Sequence, residues 1–230
     1  MSVFGIFISP QEYKFKELLK NKPNLLMYTS KTNLKENSIL KISSNEELKK
    51  DVVIATSNEK IAHLHLLDPF FSFTFGSGEY GAIILGDYHN LLKLDKESAN
   101  IYSLDADKFY PIVGKKGDFE GKWYSEEDVM YRVDIPPKKI KFVDVLKNGI
   151  QVFWINSMET LKQIDEEMND LGIKTGEQKL EYLMNQTNWK SDKVVYMNKY
   201  KNICPVKEKD GAYKIEHYKA HNKRENKVND

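Results

Sequence analysis

Cysteine and arginine are almost missing from this chain. Cys204 is the single cysteine among 230 residues, which excludes an internal disulfide framework and any cysteine-rich zinc site. A chain built without disulfides suits a reducing compartment, so the cytoplasm is the expected location. Only Arg132 and Arg224 are arginines; the other 33 of the 35 basic residues are lysines. Arginine supplies the planar fork that grips phosphates and carboxylates at two points, so a mechanism resting on several such clamps is not expected. Long apolar runs are missing too, and none approaches the ~20 residues that cross a bilayer. The stretch Val3–Ile8 is apolar, but no cationic residue precedes it and Pro10 closes it. It reads as a first strand rather than a secretory signal, and no membrane association is expected.

What is present supports a folded protein. Hydrophobic residues make up 40% and aromatics 12% of the chain, more than a disordered sequence carries. A chain of this length can hide roughly 70% of its unfolded surface, and one domain over residues 1–216 is the expectation. Net charge is +1, unevenly spread: from Asn185 to Asp230, 11 basic residues stand against 6 acids. Residues 217–230 read as a basic, disordered tail.

Elements alternate irregularly. Gln11–Asn21 reads as a helix stopped before Pro23, and Leu25–Thr29 as a short strand. Ser44 with Glu47, and Thr56 with Glu59, have the spacing of capping boxes, predicting a short helix through Lys50 and another through Leu67. The β-branched run Asp51–Ala55 lies between them. The middle is strand-rich, at 70–75, 80–85, 100–104, 109–113 and 129–135, with turns at Gly76–Gly78 and Gly114–Asp118. Beyond Pro136-Pro137, 150–155 is a strand. Asn156 with Glu159 opens a helix stopped by Gly172, and Thr175 with Gln178 opens another. The class is therefore α+β: a mixed or antiparallel sheet body with flanking helices and a C-terminal helical pair over 156–187.

Three clusters could carry chemistry. The first is Tyr28-Thr29-Ser30 at a strand end, followed by Asn33-Leu34 and Ser38-Ile39-Leu40. The second is Ile54-Ala55-Thr56-Ser57 before a helix carrying Lys60 and Ala62. The third is Trp123-Tyr124-Ser125-Glu126-Glu127-Asp128-Val129. Their order over residues 25–135 resembles the ADP-ribosyltransferase-like superfamily, particularly the poly(ADP-ribose) polymerases and their bacterial relatives. There a strand ends in His-Gly-Ser/Thr, a second strand precedes a helix with Ser-x-Ala, and a late glutamate completes the set. The resemblance implies NAD as cofactor, held by Tyr28, Thr29, Ser30, Thr56 and Ser57. It also implies catalysis by Glu127 or Glu126 with Tyr28 in the histidine position, the carboxylate facing an oxocarbenium-like transition state where preorganised charge matters most. The departures are specific: Tyr28 replaces histidine, and Thr29 adds a side chain where glycine admits the cofactor to the backbone.

The remaining features have bland readings beside the sharp ones. His63 and His65 fall two apart on a predicted helix and cannot share a face to hold one metal ion, so no metal site is expected. His89 reads as a turn residue, with Asp87 or Asp105 as a partner for base chemistry. Gly76-Ser77-Gly78 lacks the following helix and lysine of a phosphate loop, and Cys204 reads as a packed thiol. Lysines and tyrosines alternate near the C-terminus, a pattern that can track a nucleic-acid backbone while rings stack on bases. Three functional readings follow. They are an ADP-ribosyltransferase-like protein of bacterial or phage type acting on nucleic acid or protein, or its descendant that only binds a nucleotide; a non-catalytic immunity, antitoxin or anti-defence factor with a protein partner; and a nucleic-acid binder working through the tail.

Overall fold

The structure is a computed structural model, described here over residues 9–67, 71–76, 78–86, 94, 96–132, 134–187, 194–197, 203–207 and 213–217. In chain order its elements begin with α1 (Pro10–Lys20), β1 (Leu25–Ser30), β2 (Ile39–Leu40), β3 (Ser43–Asn45), β4 (Lys50–Thr56) and α2 (Glu59–Leu64). They continue with β5 (Phe71–Phe75), β6 (Glu79–Leu85), β7 (Ser98–Asp105), β8 (Tyr110–Pro111), β9 (Lys122–Ser125), β10 (Val129–Met130), β11 (Lys138–Lys141) and α3 (Phe142–Lys147). The last are β12 (Gln151–Ile155), α4 (Met158–Asp170), α5 (Gly176–Gln186), β13 (Val194–Tyr196), β14 (Ile203–Lys207) and β15 (Tyr213–His217). The architecture is α+β, with mostly antiparallel sheets and five helices among the described residues.

Contacts divide the chain into two compact units, Met1–Pro69 with Lys96–Ile150, and Phe70–Asp95 with Gln151–Asp230. The first is built on a seven-stranded sheet in the order β11-β7-β1-β4-β9-β8, with β3 also paired to β4. Every neighbouring pair in it runs antiparallel. Strand side chains alternate between the two faces. Leu26, Val53, Ala55, Tyr102, Leu104 and Trp123 form one core, capped by Leu40 and Val129 from the two-stranded β2–β10 ribbon. Helices α2 and α3 pack against β1, β4 and β11. Thr29, one residue out of phase with Leu26 and Tyr28, accordingly reaches α2, its Oγ1 donating to the Ala62 carbonyl at 2.7 Å.

The second unit holds a four-stranded sheet, β13-β12-β6-β5, in which β12 runs parallel to β6 and the other pairs are antiparallel. Leu161, Ile164 and Met168 recur at helical spacing along α4. They pack with Phe73, Ile83, Phe153 and Ile155 of the sheet and Leu183 of α5. The helical pair expected over 156–187 is thus found as α4 and α5. Ser157 caps α4, its Oγ accepting from Thr160 N–H at 3.1 Å, and Thr175 with Gln178 forms the expected capping box of α5. Gly172 takes the left-handed conformation, φ +68°, that ends α4.

Several expectations change. Ser44–Lys50 is not a helix. Ser43–Asn45 pairs with Lys50–Val52 as a hairpin, Asn45 Oδ1 accepts from Leu48 N–H at 2.9 Å, and Lys49 turns the chain at φ +53°. Hairpin pairing wins there because Leu48 alone offers a helix an apolar face. Helix α2 is capped by Asn58, not Thr56, and ends at Leu64. The strands expected at 109–113 and 129–135 shrink to two residues each, while β9 and β11 arise where no separate strand was expected. Helix α4 begins at Met158, one residue after its cap Ser157 rather than after Asn156. The expected N-terminal strand, the His89 turn and the tail from Tyr218 lie outside the described residues. Among the described residues, no helix is long and apolar enough to cross a membrane.

Candidate functional site

Strands β1 and β7 pair at six positions, from Leu25 opposite Asp105 to Ser30 opposite Asn100. On its other side β1 meets β4 at one position only, Met27 opposite Thr56. A continued antiparallel ladder would engage the backbone of Thr29 and Ser30 with that of Ile54 and Val53. Instead a polar cleft of about 250 Å³ lies there, lined by Met27, Tyr28 and Thr29 from β1 and Val52, Val53 and Ile54 from β4. Lys41, His65 and the β3 residues Ser43, Ser44 and Asn45 complete the lining.

Tyr28 is half-buried against the first unit's core, and its hydroxyl has no hydrogen-bond partner among the described residues. Burial holds its phenol above the ordinary value of 10.0, so it stays protonated as a donor at neutral pH. Thr29 lines the cleft while tying β1 to α2. Ser30 turns the chain instead, its Oγ accepting from Thr32 N–H at 3.1 Å, and it does not line the cleft.

Thr56 and Ser57 also lie outside the lining. Thr56 is buried; its Oγ1 donates to the Gly121 carbonyl at 2.8 Å and accepts from Asn58 N–H at 2.9 Å. Ser57 Oγ accepts from Trp123 Nε1–H at 3.1 Å. These bonds fasten the end of β4 to the segment entering β9. Thr56→Val keeps the shape and removes both bonds while the Gly121 carbonyl keeps Ser57 N–H at 2.8 Å, so the cost is about 1–3 kcal/mol, two hydrogen bonds at roughly 0.5–1.5 kcal/mol each. Urea unfolding should show that loss; an unchanged midpoint would contradict the geometry.

The two candidate carboxylates stand at the surface. Glu126 pairs with Lys50 at 2.6 Å, both side chains 53% exposed, and Glu127 pairs with Lys108 at 2.7 Å. The Glu126 carboxylate holds the Lys50 ammonium above its ordinary range. Exposed pairs of this kind contribute about 0–1 kcal/mol. Neither carboxylate lines the cleft, so the structure brings Tyr28 and Thr29 together there without Ser30, Thr56, Ser57, Glu126 or Glu127.

The next acid along the chain is the one coupled to the cleft. Asp128 accepts from Lys41 Nζ at 2.5 Å and from Ile42 N–H at 3.1 Å. The Lys41 hydrogen bond and then the Ile42 amide hold its carboxyl below the ordinary value of 3.8. A depressed carboxylate pKa contributes stability that is present above the unfolded value and lost as pH falls through the folded one. An NMR titration should therefore place the Asp128 midpoint below 3.8, with the Ile42 amide shifting in step. A midpoint at or above that value would contradict the pairing.

Sequence reasoning missed Lys41, Ser43, Ser44, Asn45 and His65. Asn45 did carry a signal, since an asparagine before a turn accepts from the backbone and so favours a turn over a helix start. His63 is buried, with Nδ1 2.7 Å from the Glu59 carbonyl and 3.1 Å from Asn148 Nδ2, whereas His65 is exposed and lines the cleft. The two imidazoles thus have different surroundings. In comparisons with known proteins, no family model, characterised relative or solved structure matches the chain.

Proposed function

We propose that the first unit is a nucleotide-binding module of ADP-ribosyltransferase-like type. It takes NAD or ADP-ribose in the cleft beside Tyr28 and Thr29 and lacks the carboxylate chemistry of transfer. One observation carries this reading: the strand-end residues Tyr28 and Thr29 line a polar cleft where β1 and β4 cease to pair, and Glu126 and Glu127 do not. Strand edges without a ladder partner offer main-chain donors and acceptors that an amide or sugar can use. Tyr28 adds a ring for stacking and a neutral hydroxyl. Oxocarbenium stabilisation needs a carboxylate at the reacting centre, and the described lining supplies none.

Calorimetric titration of the full chain with NAD and ADP-ribose, run beside an assay for released nicotinamide, tests the proposal. Both ligands should bind, Tyr28→Ala should weaken them at least tenfold, and no nicotinamide should appear. Failure of both to bind removes the reading. Nicotinamide release that Glu127→Ala abolishes would replace it with the transferase reading.

A further inference from the structure

The cleft's lining has a chemical bias that the strand-end motif does not explain. Two of its side chains can carry positive charge, Lys41 and His65, and none is acidic. Ser43 and Ser44 are exposed and offer hydroxyls. Asn45 commits its side-chain oxygen to Leu48 N–H, which leaves the Nδ2 hydrogens as donors. Lysine is a compact charge with three donors, suited to phosphate oxygens where no two-point clamp is available. Size points the same way. About 250 Å³ falls below the roughly 300–1,000 Å³ of sites that enclose a drug-sized ligand, so the cleft suits part of a dinucleotide rather than the whole.

We infer that Lys41, Ser43, Ser44 and Asn45 form a phosphate subsite, so that the cleft selects its ligand by a phosphate ester rather than by the base. This inference rests on the nucleotide-binding reading above. Asp128 is the ligand's internal competitor. It occupies Lys41 Nζ through an ion pair exposed to solvent, and an incoming phosphate exchanges one anion for another without creating an unpaired lysine. Asp128 also grips Ile42 N–H, holding the segment that leads into β3, and an asparagine in its place keeps an oxygen for that bond while losing the charge. The subsite therefore makes opposite predictions for the two members of the pair.

The test compares nicotinamide mononucleotide with nicotinamide riboside, which differ by one phosphate, in calorimetric titrations of the full chain. ADP-ribose and inorganic pyrophosphate serve as further probes. The mononucleotide should bind at least tenfold more tightly than the riboside. Lys41→Met should erase that difference by weakening the mononucleotide to about the level of the riboside, and Asp128→Asn should tighten the mononucleotide severalfold. Equal binding of the two, unaltered in Lys41→Met, overturns the phosphate subsite and leaves the nucleotide reading standing. Failure of the mononucleotide, the riboside and ADP-ribose alike removes both. Pyrophosphate binding as tightly as the mononucleotide, and lost in Lys41→Met, supports the subsite and assigns it to free polyphosphate.

Discussion

Trp123→Ala should lower the stability of the first unit by about 3–5 kcal/mol, the range for emptying a buried aromatic site. Trp123 is 1% exposed and lies between β4 and β8, opposite Ala55 on one side and Pro111 on the other. Phe119 meets its ring edge-on, with centroids 5.6 Å apart, an arrangement that adds to area burial alone. Its Nε1–H reaches Ser57 Oγ, and alanine also removes that bond. Trp123→Phe keeps much of the packing and should cost less. Native-state amide exchange read on β1, β4 and β7 measures the loss within the first unit. A change within about 0.5 kcal/mol, typical of surface positions, would contradict the placement of Trp123 in the core.

The second large effect belongs to Gly176, where the reason for glycine is space rather than dihedral freedom. A Cβ there would sit 1.5 Å from the Thr74 carbonyl oxygen and 2.5 Å from its carbon, both backbone atoms that no rotamer change can move. The same junction carries a bond from Gly76 N–H to Glu177 Oε1, so the β5–β6 turn rests against the start of α5. Gly176→Ala must push the two apart, and overpacking of this kind costs about 1–3 kcal/mol, occasionally more. Gly172→Ala is the informative contrast. Nothing lies within 4 Å of its Cβ, but φ is +68°, so its cost is confined to the roughly 1–2 kcal/mol of left-handed backbone. Thermal unfolding of the second unit should fall further for Gly176→Ala than for Gly172→Ala. The reverse order would mean that α5 does not pack on β5.

The parts of this fold that sequence revealed are those decided within one turn or one strand. Thr175 with Gln178 and Gly172 specify helix ends by contacts three or four residues away, and α4 shows its apolar stripe at Leu161, Ile164 and Met168. The same capping logic misled at Ser44 and Glu47, because pairing with β4 satisfies that backbone better than a helix with one apolar residue. Strand β11, Lys-Lys-Ile-Lys, has no strand signature of its own; it exists because β7 accepts it as a neighbour from Ile101 to Ser98. The site divides along the same line. Tyr28 and Thr29 were legible as polar residues ending an apolar strand. Lys41, Ser43, Ser44, Asn45 and His65 reach the cleft only through the β3–β4 register, set by a short turn, and the placement of α2 on β1, and neither leaves a periodicity to read.

The most direct test of the central claim is amide hydrogen exchange of the full chain with and without saturating ADP-ribose. Slowed exchange at residues 28–30, 41–45 and 52–54, with the second unit unchanged, is the predicted result. Binding that leaves those three segments unprotected, or protects only the second unit, would contradict a nucleotide site where β1 and β4 part.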